Sequence, residues 1–357
     1  MFDELNSGTK AVAERHSFSV DDLDAFLCKH LPGFAGPMTV EQFKGGQSNP
    51  TFKLTTPGRN YVLRMKPGPA SSLLPSAHAI EREYRVQKAL YGSAVPVAEP
   101  LLLCDDEGVI GRAFYVMDMV EGRVLWDPTM PGVSLNERSA LYDEMNRVIA
   151  ALHTVDFAAR GLSDYGKPAN YFTRQIDRWT RQYRASETES IEAMDNLIAW
   201  LPENRPPEDG LVSIVHGDFR ADNLIFHSSE PKAVAVLDWE LSTLGHPLAD
   251  FAYHCMAWNL PREIRGLAGE DLPGLGIPGE QEYVAKYLER TGFTISGNWN
   301  FYHAFNMFRL ASINQGVAKR AMDGIASSET AHLAGKTTRR LAELAWSYAG
   351  KVDRNIN

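Results

Sequence analysis

Apolar positions first fall into register at Leu23, Phe26, Leu27 and Leu31, with His30 on the same helical stripe. Ser19 precedes Asp22 in the spacing of a capping box and Pro32-Gly33 follows, so a short helix is predicted over Ser19 to Leu31. Residues 1–18 are polar and read as a frayed leader. From about 38 to 120 the period changes. MTVEQFKGG, PTFKLTT and NYVLRMK are short runs rich in β-branched and aromatic residues, separated by GGQSN and TPGRN, which are turn-forming compositions. A helical pattern follows in HAIEREYRVQKALYG, with Ile80, Tyr84, Gln87 and Leu90 on one side and Gly92 as the stop. Two further strands are predicted at EPLLLCDD and RAFYVMDMV, giving three strands, one helix and two strands.

Beyond Glu121-Gly122 the pattern turns helical. Ser134-x-x-Glu137 is a capping box that opens a helix carrying Leu141, Met145, Val148, Ile149 and Leu152. One long helix is predicted around 170–200. Two buried strands, LVSIV and AVAVL, flank the segment HGDFRADNLIFHSSEPK and are expected to pair. Helices are predicted at about 247–259, 280–291, 299–322 and 329–349. The chain thus divides into a leader and helix (1–37), a mixed α+β lobe (38–119) and a mostly helical lobe (120–357).

Composition narrows the class. The chain has 357 residues, 44% of them hydrophobic and 23% charged, which fits a folded protein of one or two domains. A net charge of −9 argues against a general nucleic-acid binder. Cys28, Cys104 and Cys255 form no CxxC pair, so neither a disulfide framework nor a zinc site is expected. There is no apolar signal segment near the start and no run of membrane-spanning length. A cytoplasmic protein without membrane attachment is the resulting expectation; oligomeric state is not legible.

The chemistry concentrates in His216-Gly217-Asp218-Phe219-Arg220-Ala221-Asp222-Asn223 and in Val236-Leu237-Asp238-Trp239-Glu240. Phosphoryl transfer needs a carboxylate to orient a substrate hydroxyl and take its proton. It also needs oxygen ligands, commonly an Asn and an Asp, to hold magnesium against nucleotide phosphates. Asp218, Asn223 and Asp238 are the right types at strand ends, although Asp and Asn also form ordinary turns. Gly45-Gly46-Gln47-Ser48-Asn49 lies between two predicted strands, where small residues let backbone N–H groups approach phosphates. It lacks the Gly-Lys-Ser/Thr ending of a P-loop. A strand cation, Arg64 or Lys66, can pair with a helix carboxylate, Glu81 or Glu83. His153, His227 and His254 read as packing or surface residues. Arg220 has two readings, a grip on an anionic substrate group or an ion pair with Asp222 or Glu240.

GGQSN, YVLR, the REYR helix, FYVMDMVEG, HGDFRADN, VLDWE and GHPLADFA occur in the order seen in the aminoglycoside phosphotransferase family of small-molecule kinases, which this chain resembles over roughly residues 38–258. Within that family it is most similar to the kinase-like domains fused ahead of acyl-CoA dehydrogenases, through DNLIFHSSEPKAVAVLDWELSTLGHPLADFAYHCMAW and LGIPGEQEYVAKYLERTG. The resemblance implies a protein-kinase-like α+β fold of two lobes and an enzyme using ATP and Mg2+ on a small-molecule hydroxyl acceptor. It assigns Asp218 as base and Asn223 and Asp238 as metal ligands. Gly46, Ser48 and Asn49 fall in the phosphate loop, Glu83 is the helix carboxylate, and the Val116–Met119 hinge, with Asp118 and Met119, meets adenine. Asp250 and His216 brace the catalytic loop. Arg64 stands where many relatives have Lys, which leaves Lys66 as a competing partner for phosphate. The acceptor class it favours is a hydroxyacid or hydroxyacyl thioester, the alternatives being an aminoglycoside or choline-type kinase or a nucleotide-binding pseudokinase.

Overall fold

The computed structural model describes residues 7–44, 49–67, 79–323 and 331–354. Two compact units divide the chain. The first comprises Met1–Val148, Asp156–Tyr165 and Arg220–Ser242, and the second Ile149–Val155, Gly166–Phe219 and Thr243–Asn357.

In the first unit six antiparallel strands form one sheet. They are β1 (Thr9–Lys10), β2 (Thr39–Phe43), β3 (Thr51–Thr55), β4 (Asn60–Met65), β5 (Pro100–Cys104) and β6 (Phe114–Asp118), in the order β1-β2-β3-β4-β6-β5. The central strand β4 is buried on both faces, and its pleat sorts its side chains. Tyr61, Leu63 and Met65 join Phe52, Phe114 and Val116 against helix α1 (Val20–His30), which contributes Leu23 and Leu27. Each such fully buried Leu contributes about 1.5–3 kcal/mol. Val62 points to the other face with Tyr115 and Met117, where Ile80 of helix α2 (Ile80–Leu90) packs. Arg64 has the same parity as Val62, so the strand period alone turns its guanidinium towards α2. The predicted cap of α1 is present: Ser19 Oγ accepts from the Asp22 N–H at 3.2 Å.

Within the leader, Thr9 and Lys10 pair with Phe43 and Gln42 as an edge strand that the sequence did not announce. Two residues are too few to show any period. Helix α2 buries Ile80, Gln87 and Leu90 of its predicted stripe. Its buried face is wider than that stripe, adding Glu83 and Val86 while Tyr84 is only partly buried, because the ion pair with Arg64 draws Glu83 inward.

After β7 (Arg123–Val124) comes helix α3 (Leu135–His153), whose Ser134 cap accepts from the Glu137 N–H at 3.3 Å. The single helix expected around 170–200 is two, α4 (Tyr171–Ser186) and α5 (Glu192–Glu203). No Gly or Pro marks the break. The Gln315 side chain caps the Ser186 carbonyl at 2.7 Å and so ends α4 from a distant part of the chain.

The two strands expected to pair with each other do not. β8 (Ser213–Val215) pairs with β11 (Thr243–Gly245) in the second unit. In the first unit β10 (Ala233–Val236) pairs with β9 (Leu224–Phe226), and β9 with β7. The second unit is otherwise built from α4 and α5 with α6 (Pro247–Cys255), α7 (Glu280–Thr291), α8 (Trp299–Met322) and α9 (Ala331–Arg354). Helix α8 is its axis, packing against α4, α6 and α9.

Candidate active site

The first unit assembles a buried ion cluster around Arg64. Its Nε lies 2.7 Å from Glu83 Oε2, and its Nη2 donates to Asp238 Oδ1 at 2.8 Å. Glu240 stands 3.6 Å from the same nitrogen. Arg64 is 8% and Glu83 1% exposed, so a charge is buried only because it is paired. Burial alone would lower the Arg64 pKa, but Glu83 and Asp238 outweigh it and hold the guanidinium well above its ordinary value. Glu83 is fixed further by Asn49 Nδ2, which donates to Oε1 at 2.7 Å, and by the Tyr115 hydroxyl on Oε2 at 3.2 Å. Both sequence alternatives for the strand–helix pair form. Arg64–Glu83 is the buried pair, and Lys66–Glu81 is a second, half-exposed one.

The pairing of β9 with β10 brings Asn223 and Asp238 to neighbouring strand ends. Leu224 pairs with Val236, and the Asn223 carbonyl accepts from the Leu237 N–H at 2.8 Å. Asp238 sits in the left-handed region at φ 64°, a strained conformation for a residue with a Cβ. Among the described residues no group of three His, Cys, Asp or Glu side chains is arranged to hold a metal. An Asn–Asp pair does fit magnesium, which takes one or two protein oxygens and completes its shell with phosphate and water. Arg220 Nη2 lies 3.2 Å from Asp222 Oδ2. At the expected hinge the Asp118 N–H donates to the Glu99 carbonyl and the Met119 N–H to the Asn60 carbonyl, at 2.9 and 3.3 Å. The Asp118 carboxylate accepts from Arg59 Nε at 2.8 Å. Gly46 and Ser48 lie outside the described residues.

The second unit holds Asp218 in a braced loop. Asp250, 2% exposed, accepts from the His216 N–H at 2.7 Å and from the Gly217 N–H at 2.8 Å. Gly217 adopts φ +84°, which a side chain would oppose. Burial alone would raise the Asp250 pKa, but the donors from His153 and His216 hold it below the usual carboxylate range. His216 Nδ1 in turn accepts from the Asp218 N–H at 3.2 Å. His153 is a satisfied core histidine, bonded to Asp250 at 3.1 Å and to the Tyr287 hydroxyl at 2.6 Å. Sequence reasoning missed Tyr253, whose hydroxyl donates to Asp218 Oδ1 at 2.6 Å. The i, i+3 relation to Asp250 on α6 was the available signal. It also missed Arg309, which donates to the Gly217 carbonyl.

His254 lies behind the same loop. Burial pushes its pKa down to about 4, against the opposing pull of the Phe219 carbonyl and Asp250. The folded state therefore excludes a proton that the unfolded chain binds below its ordinary pKa of 6.5. Stability from this site is complete above that value and is lost as pH falls towards about 4, by roughly 3 kcal/mol. Urea midpoints measured between about pH 7 and pH 4 should fall less steeply for His254→Gln than for the parent. Identical slopes would mean that another group carries the acid sensitivity.

A six-stranded antiparallel sheet with a strand cation paired to a helix carboxylate, joined to a mostly helical unit bearing a braced His-Gly-Asp loop, is the protein-kinase-like fold of small-molecule phosphotransferases. The chain belongs to the phosphotransferase enzyme family, whose sequence model matches residues 39–282. A crystal structure from Ralstonia eutropha JMP134, provisionally named an aminoglycoside phosphotransferase, is 60% identical and superposes with a TM-score of 0.86, covering 94% of this chain and 99% of that one. Mouse acyl-CoA dehydrogenase family member 10 is 48% identical over 96% of this chain, and mouse member 11 is 45% identical over 95%. The chain spans 32% and 44% of the length of these two relatives. At 14% identity, aminoglycoside phosphotransferase APH(4)-Ia shares the fold, with a TM-score of 0.60 over 92% of this chain and 98% of that one. Among the described residues no helix is long and apolar enough to cross a membrane.

Proposed function

We propose that this protein is an ATP- and Mg2+-dependent phosphotransferase that moves the γ-phosphate of ATP to a hydroxyl of a small molecule, a hydroxyacid or hydroxyacyl thioester. The observation that carries this reading is the Arg64 guanidinium held at once by Glu83 and by Asp238. It ties the strand cation, the helix carboxylate and a metal-ligand candidate into one rigid cluster. Asn223 and Asp238 would hold Mg2+, which when bound neutralises charge on the phosphate oxygens. Arg64, with Asn49 and the loop carrying Gly46 and Ser48, steadies the nucleotide phosphates. With both N–H groups of Asp118 and Met119 already committed, adenine contacts at this segment fall to carbonyl oxygens.

Asp218 orients the acceptor hydroxyl and takes its proton as the bond from phosphorus to the ADP oxygen breaks and the bond to the acceptor oxygen forms. Tyr253 fixes one carboxylate oxygen, and Asp250 fixes the backbone that presents it. The fold neighbour APH(4)-Ia was crystallised with ADP and hygromycin B, which supports a nucleotide and a small hydroxyl acceptor. The acyl-CoA dehydrogenase names of the longer relatives support an acyl acceptor over an amino sugar.

Mg-ATP at about 100 times its dissociation constant should stabilise the fold by about 2.7 kcal/mol. Thermal melts with and without Mg-ATP, followed by an ATP-consumption screen over hydroxyacids, hydroxyacyl thioesters and amino sugars, test the reading. No melt shift and no calorimetric binding would overturn it.

A further inference from the structure

Two arginines of the second unit, of which Arg309 touches the Asp218 loop, meet at the Trp179 ring without an acidic partner among the described residues. Arg309 of α8 is 6% exposed. Its guanidinium donates to the Gly217 carbonyl, the residue before Asp218, and its buried Nε has no hydrogen-bond partner. It lies 4.9 Å from the ring centre of Tyr253, the residue that holds Asp218, and 5.5 Å from that of Trp179. Arg178 of α4 lies 5.1 Å from the same Trp179 ring. Burial, and then the charge of Arg309, push the Arg178 pKa below its ordinary value, so the two cations near the Trp179 ring repel.

Buried charges are normally paired. Cation–π contacts of about 0.5–2 kcal/mol do not replace a carboxylate partner. The fork of Arg is the shape that receives a planar carboxylate bidentately. A ligand anion beside the two guanidinium groups would relieve the repulsion and lie near the loop that Arg309 holds through the Gly217 carbonyl.

We infer that Arg309 and Arg178 form an anion subsite that holds a carboxylate borne by the acceptor, placing its hydroxyl at Asp218. The inference rests on the phosphotransferase reading and names two specificity residues for it. A hydrogen bond to a charged group sets the expected discrimination at about tenfold or more.

The test uses straight-chain hydroxycarboxylates differing in hydroxyl position, each beside its neutral primary amide. At saturating Mg-ATP the parent should favour the best carboxylate over its amide by about tenfold or more in kcat/KM. Arg178→Met should raise KM for the carboxylate by about that factor, with kcat and the amide's KM changing far less. Arg309→Lys, which keeps the charge, should retain part of the preference. Melts with the carboxylate alone separate the subsite from the phosphotransfer reading, since they need no nucleotide. Stabilisation of the parent by the carboxylate and not the amide, absent in Arg178→Met, supports the subsite whether or not ATP is consumed. Equal kcat/KM for both members, or no stabilisation by any carboxylate, overturns it. So does an equal fall in kcat for both members in Arg178→Met, which would assign the charge to the transferred phosphoryl group.

Discussion

Asp218→Asn should lower turnover by about 10²–10⁴-fold, the usual contribution of a positioned general base. The change keeps size and one acceptor oxygen, so Tyr253 can still donate to it and the Asp250 brace is untouched. What disappears is the negative charge that aligns the hydroxyl and the basicity that takes its proton late in a loose phosphoryl transfer. Mg-ATP affinity should change little, because the proposed metal ligands are Asn223 and Asp238. Steady-state turnover, with nucleotide titration of both proteins, decides the matter. A variant within a few-fold of parental turnover would return the loop to an ordinary turn.

Arg64→Met should destabilise the fold by about 3–5 kcal/mol, the cost of leaving one member of a buried pair behind. Glu83 is almost fully buried and would keep only Asn49 and Tyr115 as donors. Asp238 is about a third exposed and can turn to water. Most of the loss should therefore trace to Glu83. Arg64→Met/Glu83→Leu, which removes both charges, should recover a large part of the stability while leaving nucleotide binding impaired. Denaturant midpoints across this double-mutant cycle measure the coupling. A single variant costing less than about 1 kcal/mol, or a double variant no better than the single, would show that the pair does not hold β4 to α2.

The elements legible in the sequence were those with a clean period or cap. Helix α1 announced itself through Ser19 and Pro32-Gly33, and α3 through Ser134 and Glu137. The misreadings share a cause, namely structure set by distant residues. The break after Ser186 depends on Gln315, and the two-residue strand at Thr9–Lys10 exists only because β2 is there to pair with. β8 and β10 lie in different units, since local patterns name strands and not partners. At the site, residue type and spacing singled out Asp218, Asn223 and Asp238. They left Glu81 and Glu83 equivalent, because both lie in the first turn of α2. Burial of the pair with Arg64 separates them. Tyr253 and Arg309 looked like ordinary helix residues, and only the packing of α6 and α8 around the loop shows what they touch.

The two outer strands of the large sheet have a consequence for how the protein tolerates crowding. An exposed strand with unused backbone groups is a template on which another chain can pair and begin to aggregate. Here one border is just two residues long and carries Lys10, while the opposite border opens with Pro100 and has an irregular register before Leu102. Neither offers a long, flat, regularly spaced ladder. The short N-terminal strand thus acts as a bumper. A shortened chain beginning after Lys10 would bare Gln42 and Phe43 and so extend the open edge to all five residues of β2, and its colloidal behaviour would then rest on the remaining guard at Pro100.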